Sequence, residues 1–144
     1  MNTRALMSQV DTFLCRANAL YGEWAKQHGV TYNMLMVLCA LAGSGDHTQK
    51  QIAEERMLPK QTVNTLVKDL ERQGYLRYLA GRDQKEKRVA FTEAGRTMAG
   101  ELLEEMYRLE DRVMARMGPE LCRCLLEGNG AFARALAEEV HHGA

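Results

Sequence analysis

Polar side chains that can hydrogen-bond to base edges or phosphates cluster in the segment from Thr48 to Thr92. Gln61 and Asn64 can form paired hydrogen bonds with adenine, a threonine methyl can contact thymine, and lysines suit phosphate or guanine. The segment holds ten Lys and Arg against six Asp and Glu, a net charge of +4 that leaves −4 for the rest of a chain with no net charge. A basic segment between acidic ones is typical of a protein that presents one face to a polyanion.

One face of a predicted helix carries most of these groups. The apolar residues at the spacing of a buried helix face are Val63, Leu66, Val67 and Leu70. The polar residues lie away from that face, mainly in the amino-terminal half of the helix, where a recognition helix contacts base edges. These candidate DNA-contacting residues are Lys60, Gln61, Thr62, Asn64, Thr65 and Lys68. The alternative is that they form only the solvated side of an amphipathic helix.

A pair of short helices is predicted to position these side chains. Thr48 followed by Gln51 forms a capping-box signature, which opens the first helix. Leu58-Pro59 ends that helix, because proline cannot continue a helix but suits the first turn of the next one. Gly74 then ends the second helix in the left-handed conformation. Together these features predict a helix-turn-helix from Gln49 to Tyr75.

A charged β-hairpin is predicted to follow the helix pair. Residues 75–79 and 88–91 are typical of two short strands, and the polar stretch 80–87 separates them. The basic residues that can hold phosphate or enter the minor groove are Arg82, Lys85, Lys87 and Arg88. The alternative is a soluble turn whose charges bind nothing. A helix pair followed by a basic hairpin is the layout of a winged helix-turn-helix.

Longer helices are predicted on both sides of this lobe. Apolar residues spaced by three and four along 6–24, 98–117 and 121–140 each form a seam on one helix face. A buried helix is expected over 32–42, and Gly128-Asn129-Gly130 is expected to kink or split the last helix. The sequence thus predicts a mainly α fold with a small β-hairpin. We expect one compact domain made of an N-terminal dimerisation helix (1–31), a winged helix-turn-helix lobe (32–91) and C-terminal dimerisation helices (92–144).

The central segment resembles the MarR family of bacterial regulators (multiple antibiotic resistance regulator), and the resemblance extends over nearly the whole chain. TQKQIAEERMLPKQTVNTLVKDLERQGYLRYL is similar to the family's helix-turn-helix, and GRDQKEKRVAFTEAGR is similar to its wing and the start of the next helix. The family has Asp, one residue and then Arg in its wing. Here Asp83 is followed by Lys85, which lacks the planar fork of arginine. The resemblance adds Asp83 to the wing residues.

The resemblance implies an obligate homodimer joined through the first helix and the last two. The apolar seams support this dimer, because three helices with an apolar face are more than the lobe needs for its own core. The alternative is that these helices pack on each other within one chain. Two recognition helices would address major-groove segments roughly 10 base pairs apart on a near-palindromic operator. The implied function is sequence-specific binding of double-stranded DNA by a repressor that a small molecule or another signal releases. The alternative function is a winged-helix protein–protein interaction module without specific DNA readout.

Members of the family respond to small phenolic or lipophilic ligands, to thiol oxidation or to metal. The candidate pocket residues are Tyr21, Trp24, Tyr32, Met36 and Met57, although such residues at helical spacing are more often core. Cys15 is expected to be a buried structural thiol. We predict no metal site and no cofactor, because His28 and His47 are expected in loops without carboxylate or cysteine clusters nearby.

Other functional classes lack support in the sequence. We find no nucleophile with a neighbouring base, no phosphate-cradling glycine loop and no paired carboxylates in a plausible cleft, so we predict that the chain is not an enzyme. No segment approaches the roughly 18 uninterrupted apolar residues of a membrane span, and the N-terminus has no signal-peptide pattern. We therefore expect a cytoplasmic protein.

Overall fold

The structure, a computed structural model, describes residues 2–79 and 87–143, with the backbone alone at Ser44. This part of the chain contains six helices and three strands. In order they are α1 (Thr3–Gln27), α2 (Tyr32–Ser44), β1 (Asp46–Thr48), α3 (Gln49–Arg56), α4 (Lys60–Arg72), β2 (Leu76–Leu79), β3 (Arg88–Phe91), α5 (Glu93–Met117) and α6 (Pro119–His142). The predicted mainly α fold is confirmed. None of the helices in these ranges is long and apolar enough to cross a membrane.

The helix pair α3 and α4 begins and ends close to the predicted residues. The Thr48 hydroxyl oxygen accepts from the Gln51 N–H at 3.1 Å, and the Gln51 amide oxygen accepts from the Thr48 N–H at 2.9 Å, which completes the capping box. Gly74 ends the pair with a φ of +83°. Pro59 differs slightly from the prediction, because it is the N-cap of α4 and precedes the first turn. Proline offers no side-chain acceptor, so α4 begins without a side-chain cap.

The sheet has three antiparallel strands in the order β1-β3-β2, where the sequence predicted only a hairpin. Strands β2 and β3 form the expected hairpin, with Leu76 opposite Phe91. The additional strand β1 pairs with the other edge of β3, with Thr48 opposite Arg88. Only three residues long, β1 is too short for an alternating apolar pattern, so its pairing with a distant strand could not be predicted from local sequence.

The core of the unit Met1–Leu103 lies between α2, the helix pair and the sheet. The predicted burial of α2 is confirmed, since Leu35, Leu38 and Leu41 are fully buried. The other elements contribute Ile52 from α3, Val63, Val67 and Leu70 from α4, Leu76 from β2, Val89 and Phe91 from β3, and Ala99 from α5. This shared core fixes α4 against the sheet, so only its opposite face is free to contact another molecule.

The start of α5 is hydrogen-bonded to the turn that follows α4. The Thr92 hydroxyl donates to the Gly74 carbonyl at 2.6 Å and accepts from the Gly95 N–H at 3.0 Å. The Thr92 N–H donates to the Tyr75 carbonyl at 3.0 Å. A Cβ atom built on Gly95 would lie 1.9 Å from that same oxygen, so the close approach requires glycine. These contacts fix the first turn of α5 to the end of the helix pair.

The second compact unit, Glu104–Ala144, comprises the end of α5 and all of α6. Among its described residues only Met106 is buried, and α6 contains no buried residue. Of the kink or split predicted at Gly128-Asn129-Gly130, the split is wrong, because α6 is continuous from Pro119 to His142. Glycine in a helix interior costs only about 1 kcal/mol relative to alanine, which the surrounding helix-forming residues offset.

Candidate nucleic-acid interface

Helix α4 separates its apolar and polar residues onto opposite faces. Val63, Val67 and Leu70 are buried in the core, and Leu66 is half-buried against it. Of the six predicted contact residues on this helix, the exposed ones are Lys60, Gln61, Thr65 and Lys68, and the half-buried ones are Thr62 and Asn64. The Thr65 hydroxyl donates to the Gln61 carbonyl at 3.0 Å, which engages its donor within the helix. The methyl group of Thr65 is therefore its remaining group for a thymine contact.

The lysines of α4 differ from the other basic residues of the helix pair in their ionic partners. Within the described ranges, neither Lys60 nor Lys68 forms an ion pair. By contrast, Lys50 lies 3.9 Å from Glu54, and Arg72 lies 3.3 Å from Asp69. The two lysines therefore keep their full charge for an external anion such as a DNA phosphate.

The structure describes the base of the predicted wing. Arg82, Asp83 and Lys85 lie outside the described residues, whereas Lys87 and Arg88 lie within them. The Lys87 ammonium lies 5.3 Å from the centre of the Tyr78 ring, within the range of a cation–π contact. Arg88 Nη1 donates to both carboxylate oxygens of Asp46, at 3.2 and 3.3 Å. Arg88 thus joins β3 to β1 and has part of its charge neutralised there.

Tyr78 connects the wing to the helix pair. Burial, together with the negative charge of Glu71, raises the pKa of the Tyr78 phenol above its ordinary value, while a hydrogen bond with the Gln49 side chain opposes that rise. The phenol is therefore neutral at physiological pH and can take part in hydrogen bonds from β2 to the start of α3.

A histidine–carboxylate pair beside the helix pair was missed by sequence reasoning. His47 lies in β1, and its Nε2 is 2.8 Å from the Glu55 carboxylate, with a His47 side chain that is only 11% exposed. The prediction of a loop histidine without a carboxylate partner is therefore wrong for His47. His28, in contrast, lies exposed at the C-cap of α1 and stacks on Trp24. Because the His47–Glu55 contact depends on β1, no local motif predicted it.

The residues of the predicted ligand pocket are half-buried or exposed, and they do not line the described cavity of the lobe. Tyr21, Trp24, Tyr32 and Met36 are half-buried, and the Tyr32 hydroxyl donates to the Asn18 side chain at 3.3 Å. Met57 is 89% exposed in the turn between α3 and α4, so it does not line an enclosed pocket. A separate cavity of about 230 Å³ is lined by Leu41, Ala42, Gly45, Phe91, Arg96, Ala99, Gly100 and Leu103.

Two further sequence predictions concern thiols and metals. Cys15 is exposed on α1, so the prediction of a buried thiol is wrong for the single chain. Across the described residues, no three or more His, Cys, Asp or Glu side chains are grouped to hold a metal ion. All four cysteines are free thiols.

Comparison with known proteins supports the predicted resemblance to the MarR family. The sequence pattern of the MarR family matches residues 28–88, which include α2, the helix pair and all three strands. The MarR family regulator NMB1585 from Neisseria meningitidis superposes with a TM-score of 0.83 at 29% sequence identity, covering 100% of both chains. These two matches support a winged-helix regulator of the MarR family, as the resemblance in the sequence predicted. The chain has the winged-helix fold of these regulators, and the matches indicate a DNA-binding transcriptional regulator.

More distant structures share the MarR fold. Bordetella bronchiseptica BpsR, whose DNA binding is regulated by 6-hydroxynicotinic acid, aligns at 18% identity with a TM-score of 0.74, covering 87% of this chain and 98% of its own. Staphylococcus aureus MarR in complex with salicylate and kanamycin aligns at 16% identity with a TM-score of 0.77, covering 95% and 93%. No curated protein sequence matches the chain.

Proposed function

We propose that this protein is a homodimeric repressor of the MarR family, which reads the sequence of double-stranded DNA through α4. The observation that carries the proposal is the polar face of α4, which is opposite the buried Val63, Val67 and Leu70. Gln61 and Asn64 supply the amide groups that pair with adenine, and Thr65 supplies a methyl group for thymine. An α-helix fits the major groove, where these base-edge patterns are distinct.

Phosphate contacts orient the helix in the groove. Lys60 and Lys68, which have no ionic partner within the described ranges, are proposed to bind backbone phosphates on either side of the base-reading residues. The wing residues Arg82, Asp83, Lys85, Lys87 and Arg88 are proposed to hold the flanking backbone. Lys87 has the more available charge of the two described wing residues, because Arg88 is already paired with Asp46.

A homodimer is supported by the apolar surface that a single chain leaves uncovered. On α1, the exposed large apolar residues include Leu6, Met7, Phe13, Leu14 and Leu20. In the unit Glu104–Ala144 they include Val113, Met114 and, along the predicted seam of α6, Leu121, Leu136 and Val140. A unit of about 40 residues with one buried side chain cannot stabilise itself. A second copy of the chain would cover this surface and place two recognition helices on one near-palindromic operator.

Release by a small molecule is the proposed mode of regulation. Two of the related structures are described with aromatic acids, 6-hydroxynicotinic acid for BpsR and salicylate for S. aureus MarR. In this chain Tyr21, Trp24, Tyr32 and Met36 are proposed to contact such a ligand. A ligand releases DNA only if it binds the DNA-free state more tightly than the DNA-bound state.

Selection from a randomised duplex library tests the proposal of specific readout. The purified protein should enrich a near-palindromic sequence and bind it at least about 1,000-fold more tightly than random duplex. Gln61→Ala combined with Asn64→Ala should abolish most of that preference, whereas Gln9→Ala combined with Gln27→Ala, two exposed changes on α1, should leave it intact.

The alternative function, a protein-binding winged helix, gives a different result in the same assay. Neutralising phosphates makes the logarithm of affinity fall steeply with the logarithm of salt concentration. No enriched sequence, together with no salt-dependent binding to any duplex, would contradict the proposed function and favour a protein partner.

A further inference from the structure

The turn between α3 and α4 holds an exposed apolar side chain on an unusual backbone. Met57, the C-cap of α3, has φ 51° and ψ 42°, and it is the one non-glycine residue with a positive φ in the described chain. Its side chain is 89% exposed, more than Leu126 at 76% or any other exposed large apolar residue. The fold therefore derives no packing from this methionine.

The hydrogen bonds of the turn account for the left-handed backbone of residue 57, but they do not account for the presence of methionine there. The Leu58 N–H donates to the Ala53 carbonyl at 3.0 Å, and the Met57 N–H also donates to carbonyls of the last turn of α3. This pattern is a Schellman motif, in which the left-handed residue is usually glycine, because a Cβ atom is disfavoured there. Methionine thus costs folding free energy that glycine would not, and such outliers cluster at functional sites.

The sequence position of Met57 is beside the proposed DNA-reading residues. Only Leu58 and Pro59 separate it from Lys60, the first residue of α4. The acidic residues just before it are paired with basic side chains, Glu54 with Lys50 at 3.9 Å and Glu55 with Arg56 at 3.8 Å, which reduces their repulsion of phosphate. The turn that leads into α4 therefore carries an exposed apolar group next to acidic residues whose charge is partly neutralised.

We propose that Met57 is a DNA-contacting residue, which packs its side chain against deoxyribose and thymine methyl groups beside the bases read by α4. This inference rests on the proposed function. An unbranched thioether adapts to irregular apolar surfaces, and thymine methyls are the apolar feature of the major groove. The contact is buried only when DNA is bound, which accounts for the exposure of Met57 in the free chain.

Two substitutions separate this role from a structural one. Met57→Gly removes the side chain and relieves the left-handed residue, so its Tm should equal or exceed that of the unchanged protein, by up to about 4 °C. Its affinity for the selected operator should fall roughly three- to tenfold, the loss expected for one apolar contact. Met57→Leu keeps a similar apolar volume and should retain affinity within about twofold.

Oxidation by hydrogen peroxide gives a second measurement that does not depend on a variant. Trypsin releases residues 57–60 as a fragment with a single methionine, so mass spectrometry can follow the sulfoxide of Met57 alone. Operator DNA should slow this oxidation several-fold. The fragment 5–16, whose one methionine is Met7 of α1, serves as the control, because Met7 is not among the proposed DNA-contacting residues; it should oxidise at the same rate with and without DNA.

The outcomes distinguish this inference from the proposed function. If the unchanged protein enriches an operator, but Met57→Gly binds it equally well and DNA does not protect Met57, the contact is refuted and the proposed function stands. If the unchanged protein enriches no duplex, both fail. An unchanged or higher Tm together with weaker operator binding for Met57→Gly, with protection of Met57 by DNA, establishes the contact.

Discussion

Gly95 packs so closely on the backbone of Tyr75 that a Cβ atom at residue 95 would lie 1.9 Å from the Tyr75 carbonyl oxygen. That oxygen also accepts the Thr92 N–H at 3.0 Å. The first turn of α5 is therefore held against the residue that follows the helix pair by a hydrogen bond and by a steric requirement. Any side chain at residue 95 must push the two segments apart.

Gly95→Ala should consequently destabilise the protein by about 2–4 kcal/mol, because the methyl group meets backbone atoms that cannot rotate away. Denaturant unfolding measures this loss. Gly100 in the same helix is the matched control, since a Cβ atom there meets nothing within 4 Å. Gly100→Ala should stabilise the protein by about 0.5–1 kcal/mol through helix propensity. Equal effects of the two changes would contradict the steric argument.

Lys68→Ala should weaken binding to every duplex to a similar extent, because a phosphate contact carries no sequence information. Each phosphate contact contributes about 0.9 to the slope of log affinity against log salt, so a dimer that loses two contacts should lose about 2 from that slope. Titration at several salt concentrations measures it. Lys26→Ala changes an exposed lysine at the end of α1 and should leave the slope unchanged.

The pair between Arg88 and Asp46 should contribute little to stability. Both side chains are more than a third exposed, and exposed ion pairs typically contribute about 0.2–1 kcal/mol. A double-mutant cycle with Asp46→Asn and Arg88→Gln should give a coupling energy in that range, smaller at 1 M salt. A coupling above about 2 kcal/mol would show that the pair is a major support of the sheet.

Leu136→Glu should dissociate the proposed dimer, because it introduces a charge into the apolar seam of α6. Analytical ultracentrifugation at micromolar concentration measures the dissociation. Leu126 is 76% exposed and lies outside the predicted seam, so Leu126→Glu should leave the dimer intact. If Leu136→Glu remains dimeric, the seam of α6 is not part of the interface.

The sequence predicted those parts of the site that depend on local chemistry. The capping box of Thr48, the end of the helix pair at Gly74 and the core face around Val63 all follow from short-range patterns, and the structure has each of them. Such features depend on residues within one or two helical turns, so their signals are present in a short window of sequence.

Features that depend on distant residues were not predictable in this way. Strand β1 forms because it pairs with an edge of β3. The His47–Glu55 pair forms because His47, in β1, lies next to α3. The need for glycine at residue 95 arises from the carbonyl of Tyr75, which lies 20 positions earlier in the sequence. The exposure of Met57 likewise depends on the hydrogen-bonded turn in which it lies. Its residue type alone would predict burial, because methionine is more often buried than exposed.

The order β1-β3-β2 also has a consequence for hydrogen exchange and for tolerance to insertions. Strand β3 has a neighbour on both edges, so its amides should exchange with solvent more slowly than the outward-facing amides of β2, which has one neighbour. The pairing of β1 with β3 thus holds the sheet at the base of the wing and does not depend on the segment that joins β2 to β3. Because closing a longer loop costs only about 0.6 kcal/mol per doubling of its length, residues inserted between Leu79 and Arg88 should cost little free energy of folding, and the helix pair should keep its support.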